Sequence, residues 1–492
     1  MAAAASNRDT NPDSNGTVSA LLSLIAASAH TLEAGYRTHP AFGGCVPSLD
    51  DPTPPRTSDV DAAGQCFSPA MTAAVQALEG ACAQLCATLA RPNHTLLNQF
   101  FLTALEPSCL RVALVFKIPD ILRDAGPRGM HVTQIGQRCG ADPSKLGRAL
   151  RLLAAKHCFR EGRSVSSLST SLPWLNEGGY ETVERDVFAN NRLSVRLLES
   201  DPMHCLGIHM TGDTTRAAAE LADTMADPAC AHSELAVHSA WNRATGQPLP
   251  MFDYWAQTPG MQDHGERFGI GMLGWGTTVE AATVVSAYPW LACAPNPTVC
   301  DLGGGVGAMS ILLARAYPKL RIMLQDLPDR MVQARDVVWP SECPEALEQG
   351  RVEFRAVDFL VEPPVPGCDV YYMKNILHAF STAHCLIILQ GIKKVMKPGS
   401  RVLIHEYILQ TGSTKSSANT TQGNELTRAP EPLLPNYGQG RIRQYYLDVS
   451  LMVLLNGKER TLDDYVQLGA QAGLRFSRVW EFGDLSGVEL TL

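Results

Sequence analysis

The 492-residue sequence has no excess of positive charge and no long uninterrupted apolar run. Lysine and arginine number 41 against 49 aspartates and glutamates, so the formal net charge is −8 at pH 7. A surface of that sign does not draw the whole molecule to nucleic acid or to an anionic membrane. No apolar run reaches the roughly 18 residues that a membrane-spanning helix needs, and the apolar segment 18–29 lacks the basic flank of a secretion signal. We therefore expect a cytoplasmic protein with no nucleic-acid and no membrane partner.

The 14 cysteines include no C-x-x-C pair. Cys82 and Cys86 are four residues apart in an apolar helical pattern, where cysteine packs far more often than it binds metal. Acidic pairs do not suggest a metal either: Asp358 follows Val357, and no Asp-Asp or Asp-Asn pair ends an expected strand. We expect reduced thiols, as in intracellular proteins, and no bound metal.

Residues 299–307, VCDLGGGVG, form the most informative stretch. An apolar run ends in four glycines within five positions, and apolar residues then recur every three or four positions, as in a helix. A strand, a glycine turn and a helix in that order let a ligand approach backbone that side chains would otherwise block. On its own the turn fits NAD, FAD, a nucleoside or a plain strand-to-helix connection.

The next expected strand narrows the choice of ligand. It ends at Asp326, 25 residues after Asp301, where a carboxylate can accept both ribose hydroxyls of a nucleoside. The dinucleotide pattern G-x-G-x-x-G is absent, because Ala308 or Ser310 stands at its last glycine; alanine is tolerated there, so a dinucleotide is disfavoured rather than excluded. A P-loop lysine is also absent. We favour a nucleoside without phosphates, of which S-adenosylmethionine is the common one.

The distribution of patterns predicts an α/β protein with a separate N-terminal domain. Strands are expected at 298–302, 320–325, 352–356, 369–373 and 401–406. Interleaved with helices, they form a doubly wound, Rossmann-like sheet. The upstream sequence predicts a winged helix, which consists of a helix, a turn, a second helix and a short polar segment. The expected units are a flexible N-terminal extension with one helix at 1–65, the winged-helix domain at 66–175, a helical substrate part at 176–290, and the core at 291–492 with a polar, disordered insertion at 411–440.

A winged helix most often indicates DNA binding, and its second helix carries basic residues at Lys145, Arg148, Arg151 and Lys156. The acidic chain and the glycine turn downstream favour an enzyme instead. A role in dimerisation, or as a lid over a substrate, is then the better interpretation of this domain. A DNA-binding regulator is the rival hypothesis, and salt-dependent binding to a DNA duplex would reveal it.

Polar groups suited to chemistry follow several of the expected strands. Asp358 and Phe359 offer a carboxylate and a ring to an adenine, although a capping aspartate beside a core phenylalanine is an equal alternative. His378 lies near the carboxyl edge of the sheet, and an imidazole with an ordinary pKa of roughly 6.5 is a usable base near neutral pH. Glu406 ends a strand and Glu459 lies in a glycine-containing loop. Two such carboxylates beside an imidazole would fix its tautomer; taken singly, each reads as a surface acid.

Six segments in order, DLGGGVG, LQDLP, VDFL, YYMKNILH, HEYIL and DVSLMVLLNGKERT, resemble the caffeate- and flavonoid-type small-molecule O-methyltransferases. Among these, the sequence is most similar to fungal polyketide enzymes of the sterigmatocystin and aflatoxin kind, over residues 70–490. One departure is Ala379, because the family usually has an acid directly after its base histidine.

The resemblance implies a metal-independent enzyme that uses S-adenosylmethionine and works as a homodimer through its winged-helix domain. It also implies roles for individual residues. The catalytic residues would be His378 as general base, bracketed by the acids Glu406 and Glu459. The cofactor-binding residues would be Gly303, Gly304, Gly305, Asp326, Leu327, Asp358, Phe359 and Lys374. The substrate-binding residues would be Phe268, Met272, Asn375 and Leu451.

The implied reaction moves a methyl group from S-adenosylmethionine to a phenolic hydroxyl of an aromatic polyketide-type secondary metabolite and releases S-adenosylhomocysteine. A second hypothesis keeps the fold and the cofactor but changes the class, because some fungal proteins that resemble this family are cyclases or pericyclases that do not consume the cofactor. Formation of S-adenosylhomocysteine separates the two.

Overall fold

The computed structural model describes residues 14–39, 44–52, 67–162, 185–279, 281–412 and 426–492. Its N-terminal part is a pair of packed helices, α1 (Ser14–Thr38) and α2 (Pro69–Leu89). The one helix expected within the N-terminal extension 1–65 is α1. Ser68 caps α2, because its side chain accepts a hydrogen bond from the Met71 amide at 3.3 Å.

The segment Gly16–Thr38 of α1 corrects one expectation about apolar stretches. Within the described part of the chain, it is the one helix long and apolar enough to cross a membrane by length and composition. Those two properties do not establish a membrane span, because signal sequences and core helices of soluble proteins share them.

The second half of the polar insertion also departs from expectation. Residues 413–425 lie outside the described ranges, but residues 426–440 pack against α2 instead of forming a disordered loop. Leu433 and Tyr437 are buried in one cluster with Leu21, Ala77 and Ala81. Polar composition suggested a surface loop, yet these two large apolar side chains supply enough burial to hold the segment down.

The winged-helix prediction corresponds to a compact helical unit with a small sheet. Its helices are α3 (Pro92–Leu96), α4 (Leu105–Val115), α5 (Ile118–Ala125), α6 (Val132–Cys139) and α7 (Pro143–Ala155). Asp142 caps α7 by accepting from the Lys145 amide at 2.9 Å, as its position before a proline predicts. Antiparallel strands β1 (Met130–His131), β2 (Arg160–Glu161) and β3 (Val187–Ala189) complete the unit in the order β1-β3-β2. The small sheet therefore extends past residue 175.

A helical region connects this unit to the large sheet. It contains α8 (Pro202–His209), α9 (Thr215–Ala219), α10 (Leu221–Ala226), α11 (Ala240–Thr245), α12 (Met251–Gln257), α13 (Gln262–Thr278) and α14 (Thr283–Ala287). Helices α8 and α13 cross at very short range, because Gly271 and Gly274 of α13 lie directly against the backbone of α8. This contact sets which face of α13 points away from α8.

The core is one seven-stranded sheet. Its strands are β4 (Thr298–Leu302), β5 (Arg321–Asp326), β6 (Val352–Ala356), β7 (Val370–Lys374), β8 (Arg401–Glu406), β11 (Arg475–Phe482) and β12 (Leu485–Thr491), in the spatial order β11-β12-β8-β7-β4-β5-β6. The five strands expected from the sequence are confirmed as β4 to β8, and they run parallel to one another. Strand β12 runs antiparallel to both of its neighbours.

Helices cover both faces of this sheet, as they must where parallel strands are apolar on both sides. They are α15 (Ala308–Ala316), α16 (Pro328–Gln333), α17 (Trp339–Glu342), α18 (Pro344–Glu348), α19 (Thr382–Val395) and α21 (Leu462–Ala472), whereas α20 (Ile442–Leu455) packs against α9 and α11 of the helical region. Two large buried clusters result, one under α19 and α21 and the other under α15 and α17. A short parallel pair, β9 (Ile408–Leu409) and β10 (Arg460–Thr461), brings the chain after β8 beside the loop that precedes α21.

The strand order reverses at β4. From there β5 and β6 lie on one side, and β7 and β8 on the other. In open α/β sheets such a reversal leaves a crevice at the carboxyl ends of the strands, and ligands bind there.

Candidate active site

The glycine turn 303–307 lies in this crevice, between β4 and α15. Gly303 has a left-handed φ of 74°, and a Cβ at this position would clash with Cδ1 of Ile376, which follows β7. Gly305 has a φ of 59° and open space where a side chain would be. The turn thus presents bare backbone to the crevice and touches the segment that leads to His378.

Asp326 and Leu327 lie at the end of β5, beside this turn. One Asp326 oxygen accepts from the Gly305 amide at 2.8 Å, and the other accepts from the Leu327 amide at 2.7 Å. The carboxylate is partly buried, while Leu327 is exposed. The structure thus brings the end of β5 against the glycine turn, and the role of these residues at a ribose stays a prediction.

Asp358 and Phe359 follow β6 on the same edge of the sheet. Phe359 is partly buried, and its ring reaches to 3.5 Å from the position a Gly303 Cβ would take. The ring packs edge-on against Phe380 at 5.6 Å between centroids. Asp358 is exposed and accepts from the Leu360 amide at 3.0 Å. A flat group next to the glycine turn would therefore meet the Phe359 ring.

Lys374 ends β7 and lies among acidic groups. Burial lowers the pKa of Lys374 to about 8, against the attraction of the Asp301 and Glu406 carboxylates. Asp301 is itself buried, and burial raises its pKa to about 6 although the Ser310 hydroxyl donates to it at 2.6 Å. Lys374 therefore loses its proton more readily than an exposed lysine.

His378 and Glu459 form a buried pair on the same edge. His378 Nδ1 lies 2.8 Å from Glu459 Oε1. The Glu459 side chain has no exposed surface, whereas the imidazole keeps 10% of its side-chain surface. Within the described residues the second imidazole nitrogen, Nε2, has no hydrogen-bond partner. The pair thus leaves one ring nitrogen free.

The surroundings of His378 favour its protonated form. Burial alone would favour the neutral ring, but the charge and hydrogen bond of Glu459, together with the charge of Glu406, raise the pKa of His378 above its ordinary value. An imidazole in this setting is a stronger base than a free one.

That two acids bracket the imidazole stays a prediction for Glu406, whose charge raises the pKa of His378 but whose oxygens are hydrogen-bonded to other groups. Its Oε1 accepts from the backbone amides of Ile376 at 2.9 Å and Leu377 at 2.6 Å, and its Oε2 accepts from the Tyr465 hydroxyl. All its strong contacts therefore go to the turn before His378 and to Tyr465, and only Glu459 is hydrogen-bonded to the ring. The cause is the bend of the chain after β7, which turns two amides toward the end of β8.

That bend begins at Asn375, which has a left-handed φ of 55°. Its side-chain Oδ1 is buried and has no hydrogen-bond partner among the described residues. A buried oxygen left in this state costs about 1–3 kcal/mol, so a ligand that donates to it would recover that free energy.

The expected substrate-binding residues come from two helices. Phe268 and Met272 lie one turn apart on α13, and the Phe268 ring packs edge-on against His209 at the end of α8, 5.1 Å between centroids. Trp275, three residues further on, shares a cluster with Met309 at the start of α15 and with Leu447 of α20. Leu451, one turn after Leu447, is buried, and its carbonyl accepts from the Gly457 amide in the loop that carries Glu459.

Three supporting residues were missed at the sequence level. Tyr465 of α21 holds Glu406, Asp448 accepts from the Glu459 amide at 2.8 Å, and the Trp339 indole donates to the Val306 carbonyl in the glycine turn at 3.0 Å. The partners are 11 to 59 residues apart in the chain, so no local pattern in the sequence marks them.

Comparison with known proteins shows which family this chain resembles. A family model of the O-methyltransferase domain matches residues 220–430. The curated 3-O-methyltransferase 2 of Phanerochaete chrysosporium is 37% identical over 480 residues, which cover 96% of this chain and 97% of that protein.

Two solved structures share the fold at lower identity. Human N-acetylserotonin methyltransferase in complex with S-adenosylmethionine has a TM-score of 0.60 at 18% identity, over 82% of this chain and 98% of that one. A structure described as a pericyclic reaction enzyme has a TM-score of 0.63 at 18% identity, over 87% and 96%. At such identities the likeness concerns the fold alone. The 37% identity over nearly the whole of two chains goes further: this chain belongs to the O-methyltransferase family, whose methyl donor is S-adenosylmethionine.

Proposed function

We propose that this enzyme methylates a phenolic hydroxyl of an aromatic polyketide-type secondary metabolite, with His378 as the general base and no metal. The observation that carries the proposal is the buried His378–Glu459 pair, with a free Nε2, beside a glycine turn whose Gly303 touches Ile376. A base and a nucleoside-binding turn on one crevice suit the transfer of a methyl group to an acidic hydroxyl.

The residues at the glycine turn fit S-adenosylmethionine. Bare backbone at Gly303, Gly304 and Gly305 admits the nucleoside, with Asp326 and Leu327 at the ribose end of the site. Asp358, Phe359 and Lys374 would surround the remainder of the cofactor. The Phe359 ring would stack on the adenine. When bound, the cofactor supplies an electrophilic methyl group on a sulfonium. The buried Oδ1 of Asn375 has no hydrogen-bond partner among the described residues and follows Lys374 in the chain, so a ligand in this crevice would have an acceptor to bind.

His378 acts by removing the phenolic proton. A phenol has a pKa of about 10, so the neutral hydroxyl is a poor nucleophile at neutral pH. With Glu459 accepting from Nδ1–H, the lone pair of the ring lies on Nε2, where it would accept the phenolic proton. Once the ring takes the proton, the carboxylate of Glu459 balances the new positive charge. Glu406 has a positioning role, because it fixes the two amides that precede the base.

The acceptor would lie against the apolar side chains Phe268, Met272 and Leu451. An aromatic side chain and the polarizable sulfur of a methionine one turn apart suit a flat aromatic ring. Asn375 would orient its polar substituents.

We also propose that two copies associate through the N-terminal domain. A run of large apolar side chains between α3 and α4 is 44–68% exposed, comprising Leu96, Leu97, Phe100, Phe101, Leu102 and Leu105. An exposed apolar run of this kind marks a contact with another protein surface. Free thiols at the 13 described cysteines favour a reducing, cytoplasmic setting.

Incubation with S-adenosylmethionine and a panel of phenolic polyketides tests the proposed reaction. We expect one acceptor to gain the mass of one methylene, with an equal amount of S-adenosylhomocysteine. A solved pericyclic reaction enzyme shares this fold, so the same assay also tests a second function, a cyclase or pericyclase that does not consume the cofactor. A rearranged product without S-adenosylhomocysteine would replace methyl transfer by that second function.

A further inference from the structure

The loop between α20 and β10 closes over the turn that carries His378. The Lys458 amide donates to the His378 carbonyl at 2.9 Å. Gly457 lies so close to that carbonyl that a Cβ there would clash with it. Loop and turn are therefore packed backbone to backbone, and the same loop supplies Glu459.

Arg460 ends this loop and reaches across the turn. Its Nη1 donates to the Leu377 carbonyl at 2.7 Å, and its Nη2 donates to the Phe380 carbonyl at 2.9 Å. These carbonyls stand at the two ends of the turn Leu377–Ala379, with His378 between them. One planar guanidinium thus binds the backbone both before and after the base His378.

The burial of Arg460 shows that this bridge is its main interaction. The residue is 2% exposed, and no carboxylate lies within 4.0 Å of its guanidinium among the described residues. A buried charge without such a partner is costly unless its hydrogen bonds are well made. Those bonds fix the backbone before and after His378, and they add to the hold of Glu406 on the amides of Ile376 and Leu377.

We infer that Arg460 is a positioning residue for His378. By fixing the carbonyls of Leu377 and Phe380, it keeps the imidazole against Glu459 and Nε2 directed at the acceptor. The inference rests on the proposed role of His378 as base. A lysine cannot replace the bridge, because an ammonium group lacks the rigid fork that meets two acceptors at once, although it keeps the charge.

The test compares R460K with the wild-type enzyme, with H378A as the reference for the base. We expect R460K to lower kcat by roughly tenfold to a hundredfold, the loss typical of a misplaced catalytic group. The KM for S-adenosylmethionine should stay within about twofold, since the glycine turn is untouched. The rising limb of the kcat profile should move to lower pH, because a ring held less firmly by Glu459 has a pKa closer to its ordinary value.

R443K serves as the matched control. Arg443 is a half-buried arginine on α20 whose guanidinium pairs with Asp484 at 2.6 Å. Its replacement should lower the melting temperature and leave the pH limb in place. If the rising limb of the pH profile shifts in R460K but not in R443K, the shift reflects the position of His378 and not a general loss of stability.

Two results would overturn the inference. R460K with wild-type kcat and pH limb, beside an inactive H378A, would remove Arg460 from the mechanism and leave the base intact. If R460K and the uncharged variant R460Q both fail to bind S-adenosylhomocysteine in calorimetry, Arg460 is a folding residue only. An active H378A would instead end the proposed function itself.

Discussion

At the scale of single residues, the site depends on where Glu459 and Glu406 direct their oxygens. Both are buried acids near one imidazole, but only Glu459 is bonded to the ring. Glu406 acts one step away, through the amides of Ile376 and Leu377. The two acids should therefore differ when each loses its charge.

E459Q should lower kcat and move its pH dependence. The glutamine amide keeps a hydrogen-bond acceptor for Nδ1–H but removes the charge that raises the pKa of His378. The base works only as the neutral ring, so activity rises with pH through that pKa. With a lower pKa, the rising limb should move to lower pH, and the weaker base should lower kcat by roughly tenfold or more.

The measurement is the pH profile of kcat at saturating cofactor. E342Q is the control, because Glu342 is exposed and pairs with Arg315 on the surface. A limb that stays at the wild-type pH in E459Q would mean that Glu459 does not set the basicity of His378.

G303A should impair cofactor binding more than its backbone strain explains. A left-handed φ costs an alanine about 1–2 kcal/mol relative to glycine, and the new Cβ would also press on Ile376. Gly399 has a φ of 86° but open space around it, so G399A carries the strain without the clash. Calorimetry with S-adenosylmethionine should show weaker binding in G303A than in G399A, and equal affinities would exclude Gly303 from the site.

At the scale of elements, the contact between α8 and α13 sets the acceptor wall. Gly271 packs so closely that a Cβ would lie 2.9 Å from the Leu206 amide nitrogen. Backbone cannot move aside cheaply, so a larger residue must displace α13 itself, together with Phe268 and Met272.

G271A should therefore raise the KM for the acceptor more than the KM for the cofactor. Gly269, on the same helix, has nothing within 4 Å of its Cβ position, so G269A is the matched control. That control should gain up to about 1 kcal/mol of helix stability and keep both KM values. Equal acceptor KM values in the two variants would mean that α13 does not form part of the acceptor site.

At the scale of the whole molecule, the exposed run from Leu96 to Leu105 predicts a second copy. Phe100 and Phe101 are 66% and 68% exposed, far more than large aromatic side chains usually are. The double variant F100E/F101E should convert a dimer into a monomer, as measured by light scattering after size exclusion. V361E is the control, since Val361 is 82% exposed and lies outside this run. A wild-type protein that is monomeric at all concentrations would contradict the proposed dimer.

The sequence was sufficient to predict the parallel strands, because each is a continuous apolar segment followed by polar residues at the crevice. Strands β11 and β12 escaped prediction for a physical reason. Strand β12 is buried, yet it contains Glu489, whose charge is accommodated by the Tyr288 hydroxyl at 2.8 Å and by Arg401 at 3.4 Å. Those partners are distant in the chain, so the local pattern does not read as a core strand.

The sequence allowed residues of the candidate site to be proposed, but not the contacts that the structure gives them. The glycines, Asp326 and His378 stand at strand ends, which a pattern of apolar runs locates. Whether Glu406 faces a ring or two amides depends on the left-handed bend at Asn375, which the sequence does not display. The bridge from Arg460 likewise depends on the pairing of β9 with β10, a contact between segments about fifty residues apart.

The central claim is that the imidazole of His378 removes the proton of the acceptor hydroxyl. The most direct measurement is the rate of S-adenosylhomocysteine formation by H378A, with binding of the cofactor followed in parallel by calorimetry. We predict unchanged cofactor affinity and a loss of methyl transfer by about 10² or more. Undiminished turnover in H378A would contradict the account.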